Sequence, residues 1–207
     1  MQFNCSSRVG RVRSFAYLTP LVVAIALTGC SKKDSAIENL KKMDVAVNQE
    51  SLSTYAVKGD LETVKLLIDA EVPAGALNRL GKSALVDSAY SGKKDVVAYL
   101  LDSKVDVNTT DSTKLTALAA AVANNQEQVV TFLLERKANP NLVDAGGTSP
   151  LISAAWLGAT NSVKALLANG AELNYRRPSD GISPLKAALA GNHLDAVQML
   201  KTAGATE

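Results

Sequence analysis

A fixed repeat length constrains this chain more than any other feature. Residues 144–174 can be laid over four other segments if Pro150 is matched to Ser51, Ala84, Ala117 and Pro184. The steps between these positions are 33, 33, 33 and 34 residues. A period of this size indicates a repeat array, in which each unit buries its apolar face against its neighbours.

Every unit has the same internal order: a turn, a short helix, a stretch of alanines, and a second helix with Val and Leu. Residues 149–151 and 183–185 open the first helix of two units with Ser-Pro-Leu. The serine can cap the helix while proline takes the first position, where no donor is lost. The pattern resembles the ankyrin repeat. The resemblance implies an all-α ankyrin-repeat solenoid of five helix–turn–helix repeats, at about residues 49–77, 78–110, 111–143, 144–177 and 178–207.

The second helices supply the residues that are expected to face the core. Four of them carry Val and two large aliphatic residues at helical spacing. In the fifth, Lys201 replaces the last of these residues, which predicts the closing end of the array because that face meets water. The inward sets are Val64, Leu67, Ile68; Val97, Leu100, Leu101; Val130, Leu133, Leu134; Val163, Leu166, Leu167; and Val197, Leu200.

After the second helix, the ankyrin pattern favours a glycine in the left-handed conformation. Gly170 and Gly204 follow it, but Glu71, Lys104 and Lys137 occupy the place in the first three repeats. A non-glycine residue in that conformation costs about 1 kcal/mol. The first three repeats are therefore predicted to be the less stable part of the array.

Residues 1–29 are predicted to be a lipoprotein signal peptide. Arg8, Arg11 and Arg13 precede an apolar run over residues 15–27, which is too short to span a bilayer of about 30 Å. The run ends in Leu-Thr-Gly before Cys30, which resembles a bacterial lipobox. The resemblance implies cleavage before Cys30 and covalent lipid on that residue, with palmitate-type acyl chains as the anchor. The alternatives are an ordinary secretory signal and an uncleaved anchor.

An outer-membrane location on the periplasmic face is the expected address. Residue 31 is Ser, whereas Asp at this place is similar to an inner-membrane retention signal. Residues 30–48 then begin with the lipidated Cys30 and continue as a tether. Ile37, Leu40 and Val47 fall near one helical face, so the second half of this segment is alternatively a capping helix.

No enzyme, cofactor or metal site is predicted. Cys5 is lost with the signal peptide and Cys30 is consumed by lipid, so no thiol pair remains. Residues 81–83, Gly-Lys-Ser, are similar to a phosphate-binding loop, but the spacing from Gly75 is one residue too long and no buried strand precedes them. They are expected to form a turn. His193, the only histidine, is expected to make loop hydrogen bonds rather than bind a metal.

Charge argues against a nucleic-acid partner. The chain has 22 basic and 20 acidic residues, and three of the basic ones lie in the predicted signal peptide. The rest is close to neutral, so no basic footprint for nucleic acid remains. No small-molecule substrate is predicted either.

Binding is expected on the concave face, which in ankyrin repeats consists of the turn tips and the exposed side of each first helix. Trp156, the only Trp, stands at a place that points out of the core in this family. Exposed aromatic residues and arginine are enriched in interface hot spots. The alternative for Trp156 is a shield over a neighbouring helix, and the Arg pair is alternatively a solvated turn tip. The predicted partner-binding residues are Trp156, Leu157, Tyr90, Arg79, Leu80, Lys82, Asn124, Arg176 and Arg177.

The sequence therefore predicts a lipid-anchored, periplasm-facing protein that binds a protein partner. One hypothesis is a scaffold or accessory factor for an envelope protein. A second is an immunity protein that inhibits a toxin delivered into the periplasm. A third is a structural envelope component without a dedicated ligand.

Overall fold

A computed structural model of the chain describes residues 32–206, and every helix in this range is short. The predicted signal peptide, the lipobox and Cys30 lie outside the described residues. The helices are α1 (residues 32–42), α2 (Gln49–Lys58), α3 (Leu61–Asp69), α4 (Ala84–Tyr90), α5 (Lys94–Asp102), α6 (Ala117–Ala123), α7 (Glu127–Glu135), α8 (Pro150–Leu157), α9 (Thr160–Ala168), α10 (Pro184–Ala190) and α11 (Leu194–Thr202). None of them is long and apolar enough to cross a membrane.

The helices stack in two rows. The first helices of successive pairs pack in the order α2, α4, α6, α8 and α10, and the second helices in the order α3, α5, α7, α9 and α11. Each helix also packs on the other member of its pair. The predicted all-α repeat solenoid is confirmed.

One buried leucine from each helix of α2–α11 marks the core. These leucines recur at the period of the sequence, so each repeat inserts the same side chain between its neighbours. They are Leu52, Leu85, Leu118, Leu151 and Leu185 in the first row and Leu67, Leu100, Leu133, Leu166 and Leu200 in the second. Lys201 is exposed at the end of the array, as predicted.

Two of the first helices begin with a serine cap followed by a proline, as expected. The Ser149 Oγ accepts from the Ile152 N–H at 3.3 Å, and the Ser183 Oγ accepts from the Lys186 N–H at 3.2 Å. Pro150 then fills the first turn of α8, where its missing N–H costs no hydrogen bond.

The segment before α2 is neither a tether nor a helix in its second half, the two alternatives that the sequence left open. A helix covers its first half, residues 32–42, with Leu40 buried in the core, while Val47 is 40% exposed. The second half is needed as a connection, because Asn48 caps α2 by accepting from the Ser51 N–H at 2.9 Å. Lys32 pairs with Asp69 of α3 at 2.9 Å. The described part of this segment is therefore packed on the array and is not a free tether.

Glu71, Lys104 and Lys137 adopt the left-handed conformation that the repeat pattern favours at their positions, with φ of 66°, 67° and 66°. Replacing Lys137 by glycine removes the steric cost of Cβ, so we expect the free energy of unfolding to rise by about 1 kcal/mol. Denaturant unfolding measures this change. The matched control is Lys164→Gly within α9, where glycine is expected to lower stability by about 1 kcal/mol. A loss of stability in Lys137→Gly would contradict the expectation.

Candidate functional site

An open apolar groove lies beside α8. Trp156 and Leu157 are 52% and 44% exposed there, although both are large apolar residues. The groove has a volume of about 400 Å³, within the range of pockets that take a ligand. It is lined by Ala123, Thr148, Ile152, Ser153, Trp156, Leu157, Arg177 and Ile182.

The α8 helix forms the floor of the groove. Ile152 and Trp156 are four residues apart, so they stand on the same side of the helix. Gly158 ends the helix in the left-handed conformation, with φ of 66°, which leaves Trp156 and Leu157 in the last turn. One repeat earlier, Ala123 takes the place of Trp156 and also lines the groove. Its small side chain leaves the space beside the indole ring open.

The turn before α10 forms a wall of the groove. The Arg177 Nε donates to Asp180 Oδ1 at 3.0 Å and its Nη2 donates to Oδ2 at 2.5 Å. Its Nη1 also reaches the Thr148 Oγ1 at 3.4 Å. The hydrogen bond from Arg177 holds the pKa of Asp180 below its ordinary value. A bidentate pair of this kind fixes the plane of the guanidinium and gives the wall a defined shape.

The other predicted residues lie outside this groove. The Arg79 side chain is 92% exposed and lies 3.5 Å from the Glu50 carboxylate, and Leu80 is 79% exposed at the same turn. The Asn124 Nδ2 donates to the Tyr90 carbonyl at 2.8 Å, so this amide joins two repeats. Tyr90 itself is 49% exposed.

Lys82 is held by a buried carboxylate. Its Nζ lies 3.5 Å from Oδ2 of Asp111, whose side chain is fully buried. Burial alone would raise the pKa of Asp111, but hydrogen bonds from Thr113 and Leu115 and the charge of Lys82 bring it below its ordinary value. The structure thus brings Trp156, Leu157 and Arg177 together and gives Lys82 a partner within the array.

Comparison with protein families identifies the repeat type of this array. A model described as ankyrin repeats (3 copies) matches residues 21–111, 52–144 and 118–206. The chain belongs to the ankyrin-repeat family. No curated protein matches the sequence. Ankyrin repeats generally mediate protein–protein interaction, and their match indicates no catalytic family.

The predicted partner-binding residues of this ankyrin array did not include five of the groove residues, which are Ala123, Thr148, Ile152, Ser153 and Ile182. The helical spacing before Trp156 was available as a signal for Ile152 and Ser153. Ala123 could be found only by placing the repeats in register and asking which neighbour of Trp156 is small.

The only histidine of this ankyrin protein does not make the loop hydrogen bonds predicted for it, so that prediction is wrong. The ring of His193 makes no hydrogen bond to another described residue; it lies against two glycines. A Cβ added to Gly158 would lie 2.3 Å from its Nδ1, and one added to Gly191 would lie 2.5 Å from its Cδ2. The ring therefore fills the space that these glycines leave between neighbouring repeats. Within residues 32–206, no group of three or more His, Cys, Asp or Glu side chains could hold a metal ion.

Proposed function

We propose that this ankyrin-repeat protein is anchored by lipid on Cys30, faces the periplasm, and binds a protein partner on its concave face as a scaffold or accessory factor for an envelope protein. The observation that carries the binding proposal is the exposure of Trp156 and Leu157 over an open apolar groove. Large exposed apolar side chains that meet in a groove mark interaction sites.

The anchor proposal rests on the lipobox and on the position of α1. Only Ser31 separates Cys30 from residue 32, where the described helix already pairs with α3 through Lys32 and Asp69. A lipid on Cys30 would therefore hold the array close to the membrane surface. A partner in the same membrane, or one bound to it, would meet the array without a long tether.

Cross-linking from the groove tests the binding proposal. A photoreactive amino acid at position 156 is expected to capture a discrete partner in cells of the native host, and one at Lys164 on α9 is the matched control. Trp156→Ala is expected to weaken binding of that partner by about 30-fold or more, the effect of losing a hot spot. Its thermal stability should stay unchanged, because the side chain is half exposed. Identical captures from both positions would place the binding surface elsewhere.

Cys30→Ser tests the anchor. The variant is expected to leave the membrane fraction almost completely or to accumulate as an unprocessed precursor, because no thiol remains to carry the lipid. Membrane fractionation and the mass of the mature chain measure this. Normal processing and membrane attachment of Cys30→Ser would contradict the lipoprotein proposal but would not affect the binding proposal.

A further inference from the structure

Three cations without an ion pair lie on elements next to residues that line the groove. Lys114 lies at the turn before α6, Arg176 precedes Arg177 at the wall, and Lys186 lies in the first turn of α10. All three are exposed, and none forms an ion pair within residues 32–206. Lys186 occupies in its repeat the place that Ile152 occupies in the groove floor. Three elements next to the apolar groove, which we call its border, thus carry an exposed cation.

The turn that carries Lys114 is joined to the neighbouring turn at the groove. The Ala145 N–H donates to the Thr113 carbonyl at 2.9 Å, which places the residue before Lys114 against the turn that leads to Thr148. Thr148 lines the groove. Lys114 therefore lies on the turn next to the one that leads into the groove.

The carboxylates near the groove are too few to neutralise all of these cations. No acidic side chain lines the groove in the described part of the chain. The carboxylates whose charges act on Arg177 are Asp180 and Asp144. Asp180 is engaged by Arg177, and the Asp144 Oδ1 already accepts from the Gly146 and Thr148 N–H groups at 2.9 and 2.8 Å. Asp144 and Asp180 thus offset only part of the charge of Lys114, Arg176, Arg177 and Lys186, and the excess positive charge can attract an acidic partner.

We propose that the partner presents an acidic segment to this groove, with a large apolar side chain seated against Trp156 and carboxylates on both sides of it. This inference rests on the proposed function and adds the chemistry of the partner. Since the cations stand on three elements, they match several carboxylates along one chain better than one small anion. The apolar floor of Ile152, Trp156 and Leu157 supplies the contact that a purely acidic chain would lack.

The single tryptophan makes the test specific. Because the chain has one Trp and it lies in the groove, tryptophan emission reports binding there without a label. The probe is a capped ten-residue peptide of Asp and Glu with two leucines at its centre, added to the purified full-length chain. We expect a saturable blue shift, with an affinity that falls as salt is raised because the border charges are exposed. Replacing the two leucines by serine should weaken binding by about tenfold or more.

Charge reversal supplies the matched variants. The double change Arg176→Glu and Lys186→Glu is expected to weaken the acidic peptide by about tenfold or more. The control pair, Lys164→Glu on α9 and Lys104→Glu after α5, reverses two exposed lysines outside the groove and should stay within about twofold. A peptide with lysine in place of every acidic residue should leave the emission unchanged.

Each other outcome overturns the inference. Equal binding of the acidic and basic peptides, an unchanged affinity in the Arg176 and Lys186 variant, or no shift with the acidic peptide up to millimolar concentration would each do so. Cross-linking at position 156 separates the two proposals. A partner captured there, together with a failed peptide test, means that the groove binds a partner of different chemistry. Failure of both would remove the groove as a binding site.

Discussion

The Leu133→Ala variant is expected to lose about 3 kcal/mol or more of its free energy of unfolding. Leu133 is fully buried in α7, in the middle of the array, and α7 packs against both α5 and α9. Removal of its side chain leaves a cavity between three repeats, which the surrounding helices cannot fill without moving. Urea unfolding followed by circular dichroism measures the loss.

Leu194→Ala is the matched control for this variant. Leu194 begins α11 and is 70% exposed, so its truncation is expected to change stability by no more than about 0.5 kcal/mol. Since stability in a repeat array is carried by contacts between neighbours, a defect in α7 should also separate the unfolding of the two ends. Hydrogen exchange would detect this separation as unequal protection of the backbone amides on the two sides of α7. Equal effects of the two leucine variants would contradict the core described above.

The Gly158→Ala variant is expected to lose about 2–3 kcal/mol. Gly158 has φ of 66°, a conformation that costs an alanine about 1 kcal/mol. Its new Cβ would also lie 2.3 Å from the Nδ1 and 2.5 Å from the Cγ of His193, so the imidazole ring must move. Displacement of a packed side chain costs about 1–3 kcal/mol. Denaturant unfolding at constant pH measures the sum.

Gly170→Ala separates the two causes. Gly170 has φ of 85° but no atom within 4 Å of an added Cβ, so only the backbone cost of about 1 kcal/mol is expected. Adding His193→Ala to Gly158→Ala should restore part of the loss, because the ring that the methyl group meets is gone. If Gly158→Ala and Gly170→Ala were equally destabilised, the ring would not be the neighbour that the structure shows.

The cations near the groove differ in whether they have a carboxylate partner. Arg177 is satisfied by Asp180 within its own turn, whereas Arg176 and Lys186 beside it have no carboxylate partner in the described residues. The first arrangement shapes the wall, and the second leaves charge available to a partner. The same residue type thus serves two purposes at neighbouring positions, and sequence alone treats Arg176 and Arg177 alike.

The 33-residue period allowed the buried and the exposed positions to be predicted, because each repeat must pack against its neighbours in the same way. A side chain between two stacked units must be apolar, as Leu133 is, and one at the open end may be charged, as Lys201 is. The left-handed conformation of Lys137 followed likewise, since its place after the second helix is the place of Gly170. The position of α1 did not follow. Ile37 and Leu40 indicated a helix, but Val47 belongs to a connection that the Asn48 cap requires.

The 33-residue period was sufficient to predict the array and its register, because it states which residues are equivalent and each equivalent position meets the same surroundings. The period left two alternatives for Trp156, and the structure shows its side chain half exposed. Which of the exposed residues share a site became visible only in the folded array. Trp156, Leu157 and Arg177 meet because the turn of one repeat stands over the helix of the repeat before it. Lys82 instead pairs with Asp111, which lies in the next repeat. Contacts of this kind depend on the variable residues of two neighbouring repeats at once, and a period cannot predict them.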